Sequence, residues 1–383
     1  MSNKTIFWLS VVLCFTSFHF EKSLRIYGLV LYVIATFLIL LWIKKNSKSL
    51  LGLINRFNPK YLFILFLLIL AVGYLFWYPY EAVRSRGSDR DAALNQTVNE
   101  ITSFRYPYYV RTIARGSAHE LGYDNNPITV LPGSILFALP FVLLGNSTYQ
   151  NFFWIAVLFL FLGHQYRSYG WSFLFIVSNI LLCGTFLFQI LTGSDYIANS
   201  IWVLIFTVLV INNSVTFTPK SFLLSLILGI GLASRFNFTI IIIPLAFYIF
   251  FATGFLNCAK HILGVFLGFG IMVLPFLLYD YKNFTPIHYS NFYSWYEAIV
   301  PYSSILFPIT ILVVTTVLSL FVFRNPDIFY FVVSCTYMFP VLLIVILSSI
   351  ANHGITFYLS HYAFPSYLFL SYIVFKEMKE TAT

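Results

Sequence analysis

"PITVLPGSILFALPFVLLG", residues 127–145, decides how this chain is threaded. It is apolar and close to the ~20 residues that cross a bilayer as helix. If it crosses, every later loop changes side. It also carries Pro127, Pro132, Gly133 and Pro140, which suit a straight span poorly. Charge settles the reading. With 127–145 kept on one side, 12 basic residues share a face: Lys4, Lys44, Lys45, Lys48, Arg56, Lys60, Arg167, Lys220, Lys260, Arg324, Lys376 and Lys379. The opposite face holds four, Lys22, Arg25, Arg235 and Lys282, apart from one long segment treated below. The positive-inside rule makes the first face cytoplasmic. A crossing at 127–145 inverts that bias downstream. The stretch is therefore expected as a juxtamembrane or re-entrant helix on the outer side.

The rest of the chain fits this frame. Of its 383 residues 60% are hydrophobic and 9% charged, with mean hydropathy +0.85, which excludes a soluble composition. Open strands are excluded because lipid offers their backbone no partners. The expectation is an all-α polytopic membrane protein forming a single membrane domain, 1–383. About 12 transmembrane helices are expected, near 5–20, 25–43, 61–78, 149–163, 171–190, 198–213, 221–234, 238–254, 262–280, 303–323, 328–350 and 358–375. The first 20 residues lack a clear small-x-small cleavage site and read as a retained helix. Cys14, Cys183, Cys258 and Cys335 all lie in apolar runs and read as packed thiols.

The long segment is the exception to the charge rule. Residues 79–126 are placed outside, yet hold Arg84, Arg86, Arg90, Arg105, Arg111 and Arg115. With the helix that follows, they form an outer loop over 79–148. One reading is a solvated loop whose acids pair with its arginines. The sharper reading is recognition of a phosphate, which the planar guanidinium fork matches. Ser88 followed by Asp91 fits a capping box, so a helix is expected from Asp89. Leu94, Val98 and Ile101 would form one apolar face on the outer membrane surface. Asp89 and Asp91 would sit in the first turn, where the helix dipole favours an ionised carboxylate.

Further candidates share that side. In "FRYPYYVRT", 104–112, Tyr108 and its aromatic neighbours are expected as interfacial anchors with wet hydroxyls, or as a platform for a sugar ring. "LTGSDYIANS", 191–200, puts Asp195 at one outer mouth. "GLASRFNF", 231–238, puts Arg235 at another. Each is a charge between apolar runs, where it costs about 2.5–3.5 kcal/mol at the bilayer centre. A salt bridge is the plain alternative for both. The outer loops at 281–302, with Lys282 and His288, and at 351–361, with His353 and His361, are candidates for an acceptor groove. No HExxH, paired-cysteine or phosphate-loop pattern occurs, and nothing suggests nucleic acid as a partner.

In order and sidedness these motifs resemble the C-type (GT-C) superfamily of integral-membrane glycosyltransferases. The likeness rests on "GSDRDAAL" (87–94), "YPYYVRT" (106–112) with "NNPITVLPG" (125–133), "GSDYIAN" (193–199) and "GLASRFNF". It covers 61–255 as a catalytic module; residues 256–383 would supply C-terminal helices and an acceptor or lipid groove. The resemblance implies an inverting transferase moving a sugar from a polyprenyl-phosphate donor to a glycan, lipid or protein acceptor on the extracytoplasmic face. Asp89 would be the base, with Asp91 as helper or alternate. Arg86, Arg90, Arg111 and Arg235 would bind the donor phosphate. Asp195, Tyr108 and His361 would form a second acidic or substrate site. A divalent cation is variable across the superfamily, and no metal site is forced here. A bacterial inner (plasma) membrane is the expected location. A transporter or flippase of lipid-linked saccharide, and a polysaccharide polymerase or ligase, are the alternatives.

Overall fold

The computed structural model describes residues 3–17, 26–84, 90–112, 126–289, 292–354 and 359–382. In chain order the helices are α1 (Asn3–Thr16), α2 (Ile26–Arg56), α3 (Pro59–Arg84), α4 (Arg90–Thr102), α5 (Pro132–Leu143), α6 (Tyr149–Gln165), α7 (Tyr169–Leu182) and α8 (Gly184–Thr192). There follow α9 (Tyr196–Asn213), α10 (Pro219–Leu232), α11 (Ile242–Thr253), α12 (Phe255–Tyr279), α13 (Thr285–Tyr289), α14 (Ser303–Ser319), α15 (Pro326–Ala351) and α16 (Phe364–Ala382). Among the described residues the sole extended pairing is one bridge, Arg111 to Pro127. The protein is all-α and membrane-like.

Among the described residues six helices are long and apolar enough to cross a bilayer, or seven if one bent pair counts as a span. Twelve crossings are not shown. Four further apolar helices, α1, α5, α10 and α14, run to only 10–17 residues, short of the ~20 a bilayer needs. The span expected at 171–190 is instead α7 and α8, bent by 87° at Cys183. The cytoplasmic loop expected at 44–60 is mostly helix, because α2 runs on to Arg56 through "KKNSKSLLGLINR". Residues 127–145 give α5, 12 residues long, with Leu131 at its N-cap and Pro132 at its first position, so a short helix is what forms.

The chain divides into two compact units. One comprises residues 1–72, 154–188 and 333–383; the other comprises 73–153 and 189–332. In the first, Phe63 stacks on Phe159 at 4.0 Å, and the Tyr367 hydroxyl donates to the Asn179 carbonyl at 3.1 Å.

The second unit carries the candidate site. Its tightest helix pair is α10 with α12. Ser225 and Gly229 on α10 face Gly264 and Gly268 on α12, a small-xxx-small seam on both sides. A Cβ at Gly229 would lie 2.0 Å from the Val265 carbonyl oxygen, and one at Gly268 would lie 2.0 Å from that of Leu226. Those contacts are with backbone, so no rotamer change relieves them. Gly229→Ala and Gly268→Ala are each expected to destabilise by about 1–3 kcal/mol. That outweighs the ~1 kcal/mol alanine gains in helix propensity. Unfolding in mixed detergent micelles measures it, with Gly52→Ala as control, since nothing lies within 4 Å of that position.

A second cluster fixes the outer segment. Leu94 and Val98 of α4 are fully buried, and Ile101 packs beside them. Their face meets Ile135 and Ala138 of α5, with Ile128, Val130, Ala233, Val273 and Phe284 around them. The i, i+4, i+7 periodicity is as expected, and the face it makes packs on protein. Protein interior and lipid are equally apolar, so the pattern alone cannot separate them.

Candidate functional site

The site grows from several helix ends in the second unit. The described part of α4 begins at Arg90, and Asp91 lies in its first turn. Ser88, Asp89 and Arg86 lie outside the described residues. The Tyr78 hydroxyl, near the end of α3, donates to Asp91 Oδ2 at 2.5 Å. Asn146 Nδ2 donates to the Tyr78 hydroxyl at 3.0 Å. The turn before α6 is tied to α4, because Asn95 Oδ1 accepts from the Ser147 N–H at 2.9 Å. Tyr78 and Asn146 thus hold the carboxylate of Asp91 in a fixed direction.

The turn between α8 and α9 comes next. Gly193 has φ +82, which an L side chain rarely adopts. A Cβ there would also lie 2.2 Å from Thr148 Cγ2. The turn presents Ser194 and Asp195. Ser194 Oγ accepts from the Arg90 guanidinium at 3.1 Å, and its carbonyl accepts from Asn151 Nδ2 at 2.9 Å.

Asp195 is fully buried and paired. Arg235 Nη2 donates to its Oδ1 at 2.7 Å and its Oδ2 at 2.9 Å. Asn199 Nδ2 donates to Oδ2 at 2.9 Å and to Ser134 Oγ at 3.1 Å. The plain salt-bridge alternative is therefore what the structure contains. The turn bearing Arg235 is set by α5. The N–H groups of Leu131 and Gly133 donate to the Ser234 and Ala233 carbonyls at 3.2 and 2.7 Å, and Ser134 Oγ donates to the Ser234 carbonyl at 3.0 Å. The stretch that decided the threading thus also positions Arg235.

One ring joins the two halves. The guanidinium carbons of Arg90 and Arg235 lie 5.6 and 5.8 Å from the centroid of Tyr196, a cation–π range. Tyr196 is itself buried, stacks on Phe238 and accepts from Asn237 Nδ2 at 2.7 Å. Arg90, Asp195 and Arg235 are thereby linked through Tyr196, and Asp91 adjoins them as the next residue of α4. The sequence reading missed Tyr78, Asn146, Ser194, Tyr196 and Asn199. "NSTYQN" at 146–151, a polar run in so apolar a chain, was the available signal.

No family model, curated protein or solved structure matches the chain.

Three expected site residues stand elsewhere. Arg111 lines an open pocket with Tyr108, Tyr109, Lys282, Asn283, Thr285 and His288; none of Arg90, Asp91, Asp195 and Arg235 lines it. Tyr108 is not a wet interfacial anchor. It is 2% exposed, and its hydroxyl donates to the Val130 carbonyl at 3.0 Å. Tyr106 is likewise buried, donating to the Phe276 carbonyl at 2.8 Å. Phe104 and Tyr109 are the exposed aromatics of this run. His361 belongs to the first unit, where it is buried and lies 4.5 Å from the Tyr362 ring.

Two of the pocket's lining residues, Tyr109 and Asn283, bond to a carboxylate the sequence reading passed over. Asp280 Oδ2 accepts from Asn283 Nδ2 at 2.8 Å and from the Tyr109 hydroxyl at 2.9 Å. Those bonds, Asn283's first, hold the Asp280 carboxyl below its usual range. The same contact pushes the Tyr109 hydroxyl up. Among the described residues no group of three or more His, Cys, Asp or Glu could hold a metal ion.

Proposed function

We propose that the chain is an inverting glycosyltransferase that moves a sugar from a polyprenyl-phosphate donor to a glycan, lipid or protein acceptor on the outer membrane face. The observation that carries this reading is the linked group of Arg90, Asp195 and Arg235, with Asp91 beside Arg90, at neighbouring helix ends. Asp91, aimed by Tyr78, accepts the proton of the acceptor hydroxyl. The acceptor oxygen attacks the anomeric carbon. The bond from that carbon to the phosphate oxygen breaks, and its electron pair leaves on polyprenyl phosphate. Arg90 and Arg235 face the growing negative charge, as fixed cations in a dry site can. Asp89, one turn-end away in sequence, is the alternate base, and Arg86 a further cation. Tethering both reactants at the membrane supplies proximity. The charge bias supports a chain with both ends inside and an outward-facing site; a bacterial plasma membrane is the location this reading implies.

One observation favours a second reading. The 87° break between α7 and α8 is the kind of broken helix that transporters of lipid-linked saccharides use. Product analysis separates the two. Purified protein with donor and acceptor should yield a glycoside whose anomeric configuration, read by proton NMR, is opposite to the donor's. A retained configuration rejects the inverting mechanism. Donor moved between leaflets without any glycoside puts the transporter first.

A further inference from the structure

A pocket of about 230 Å³ in the second unit joins two segments far apart in sequence, 108–111 and 282–288. In the charge reading both lie on the outer side. The hydrogen bonds of its wall decide what it can hold. The Tyr109 hydroxyl donates to Asp280 Oδ2 at 2.9 Å, and the Thr285 hydroxyl donates to the Ile128 carbonyl. Each oxygen has directed its one proton into the protein and keeps lone pairs. Asn283 Nδ2 donates to Asp280 Oδ2 at 2.8 Å. An ionised carboxylate only accepts, so this amide cannot be reversed, and Oδ1 is left as an acceptor. His288 Nε2 lies 3.0 Å from the Tyr281 carbonyl, which takes its proton, so Nδ1 of the neutral ring is a further acceptor. Four side chains of the lining thus offer acceptors. Donors are fewer. Arg111 lines the pocket but is already engaged within the protein. The Lys282 ammonium has no bonded partner among the described residues.

A ligand for such a wall must bring several polarised hydrogens in a small volume. A phosphate group brings mainly acceptor oxygens, which would face lone pairs. A lipid chain brings neither donors nor acceptors and would leave the wall unpaired. A sugar ring carries a hydroxyl on most of its carbons, each able to donate, with oxygens left to accept from Lys282. Its apolar C–H face also matches the ring of Tyr109, a residue 56% exposed. The volume lies below the ~300–1,000 Å³ of pockets for drug-sized ligands, which suits a single ring.

We propose that this pocket is a subsite for one sugar ring of a glycan acceptor. Tyr109, Asn283, Thr285 and His288 accept its hydroxyl protons, and Lys282 donates to one of its oxygens. The proposal rests on the transferase reading and narrows it. Of glycan, lipid and protein, only a glycan presents so many hydroxyls to so small a volume.

The test uses the full-length protein without any polyprenyl-phosphate donor, purified in a detergent with no sugar head group, so that nothing competes for the pocket. Saturation-transfer NMR is run with the methyl glycosides of glucose, galactose, mannose and N-acetylglucosamine, and with inorganic phosphate and trialanine as comparisons. At least one glycoside should bind saturably. Its affinity should fall about three- to tenfold in Tyr109→Phe and in His288→Leu, as loss of one neutral hydrogen bond implies. Arg105→Gln, which alters an exposed arginine paired with Glu100, should bind as wild type does. No glycoside binding, or binding indifferent to both pocket variants, overturns the proposal. So does an equal loss in Arg105→Gln, or phosphate or trialanine binding in place of the glycosides with the same dependence on His288. With no donor present, failure here leaves the transfer reading standing. A chain that binds glycosides through these residues and transfers nothing keeps the pocket and loses the transferase.

Discussion

Asp195→Ala is expected to destabilise the protein by about 3–5 kcal/mol, and Arg235→Met by a similar amount. Each leaves one charge buried without its partner, since Asp195 is fully buried and the Arg235 side chain is 9% exposed. The double change Asp195→Leu with Arg235→Met should behave differently. Replacing a buried ion pair by apolar side chains of similar volume is often neutral or stabilising, by about 1–4 kcal/mol. The double variant should therefore recover most of the lost stability in a mixed-micelle unfolding titration. Asn199 keeps its bond to Ser134 in that variant, so the α5 contact survives. Transfer should stay lost, because no cation remains at this position to meet the leaving phosphate. A double variant that is both stable and active would make the pair a structural strut and nothing more.

Asp91→Asn is expected to lower the rate of sugar transfer by about 10²–10⁴-fold, the usual contribution of a positioned general base. Donor affinity should change little, because the phosphate is met by arginines. Tyr78→Phe removes the 2.5 Å bond that aims Asp91 but leaves the carboxylate. Its transfer rate should fall about tenfold, less than for Asp91→Asn, with the fall in kcat rather than KM. Asp89→Asn made alongside assigns the base. If Asp89→Asn abolishes transfer and Asp91→Asn does not, Asp91 is the helper, and the Tyr78 contact serves to fix the start of α4.

The limits of the sequence reading follow from what a one-dimensional pattern contains. The shortness of α5 was legible, since Pro127, Pro132, Gly133 and Pro140 are local signals. That Asp195, Arg235 and Arg90 of the arginine segment belong together was hinted at by the lysine and arginine counts. Their pairing was not. Asp195 and Arg235 are 40 positions apart, and they meet because α5 holds the Arg235 turn by backbone hydrogen bonds. Tyr78 was hidden in an apolar run, where a tyrosine reads as an anchor. Tyr108 read as an anchor for the same reason, since its partner is a backbone carbonyl that carries no sequence signature. The bend at Cys183 had only Gly184 to announce it, with no proline in α7 or α8. The helix count was the least legible. Apolar runs of 14–17 residues look like spans in a hydropathy profile, but among the described residues their helices are shorter than the ~20 residues of a usual span, so hydropathy alone does not set the count.

The most direct test reconstitutes the purified chain in proteoliposomes with a radiolabelled polyprenyl-phosphate sugar and acceptor on the outer face. The label is followed into product and, separately, across the membrane. The account predicts label on the acceptor with wild type, and donor bound without transfer in Asp91→Asn. Folded wild type that binds the donor and leaves every label on polyprenyl phosphate, on either side of the membrane, would contradict it.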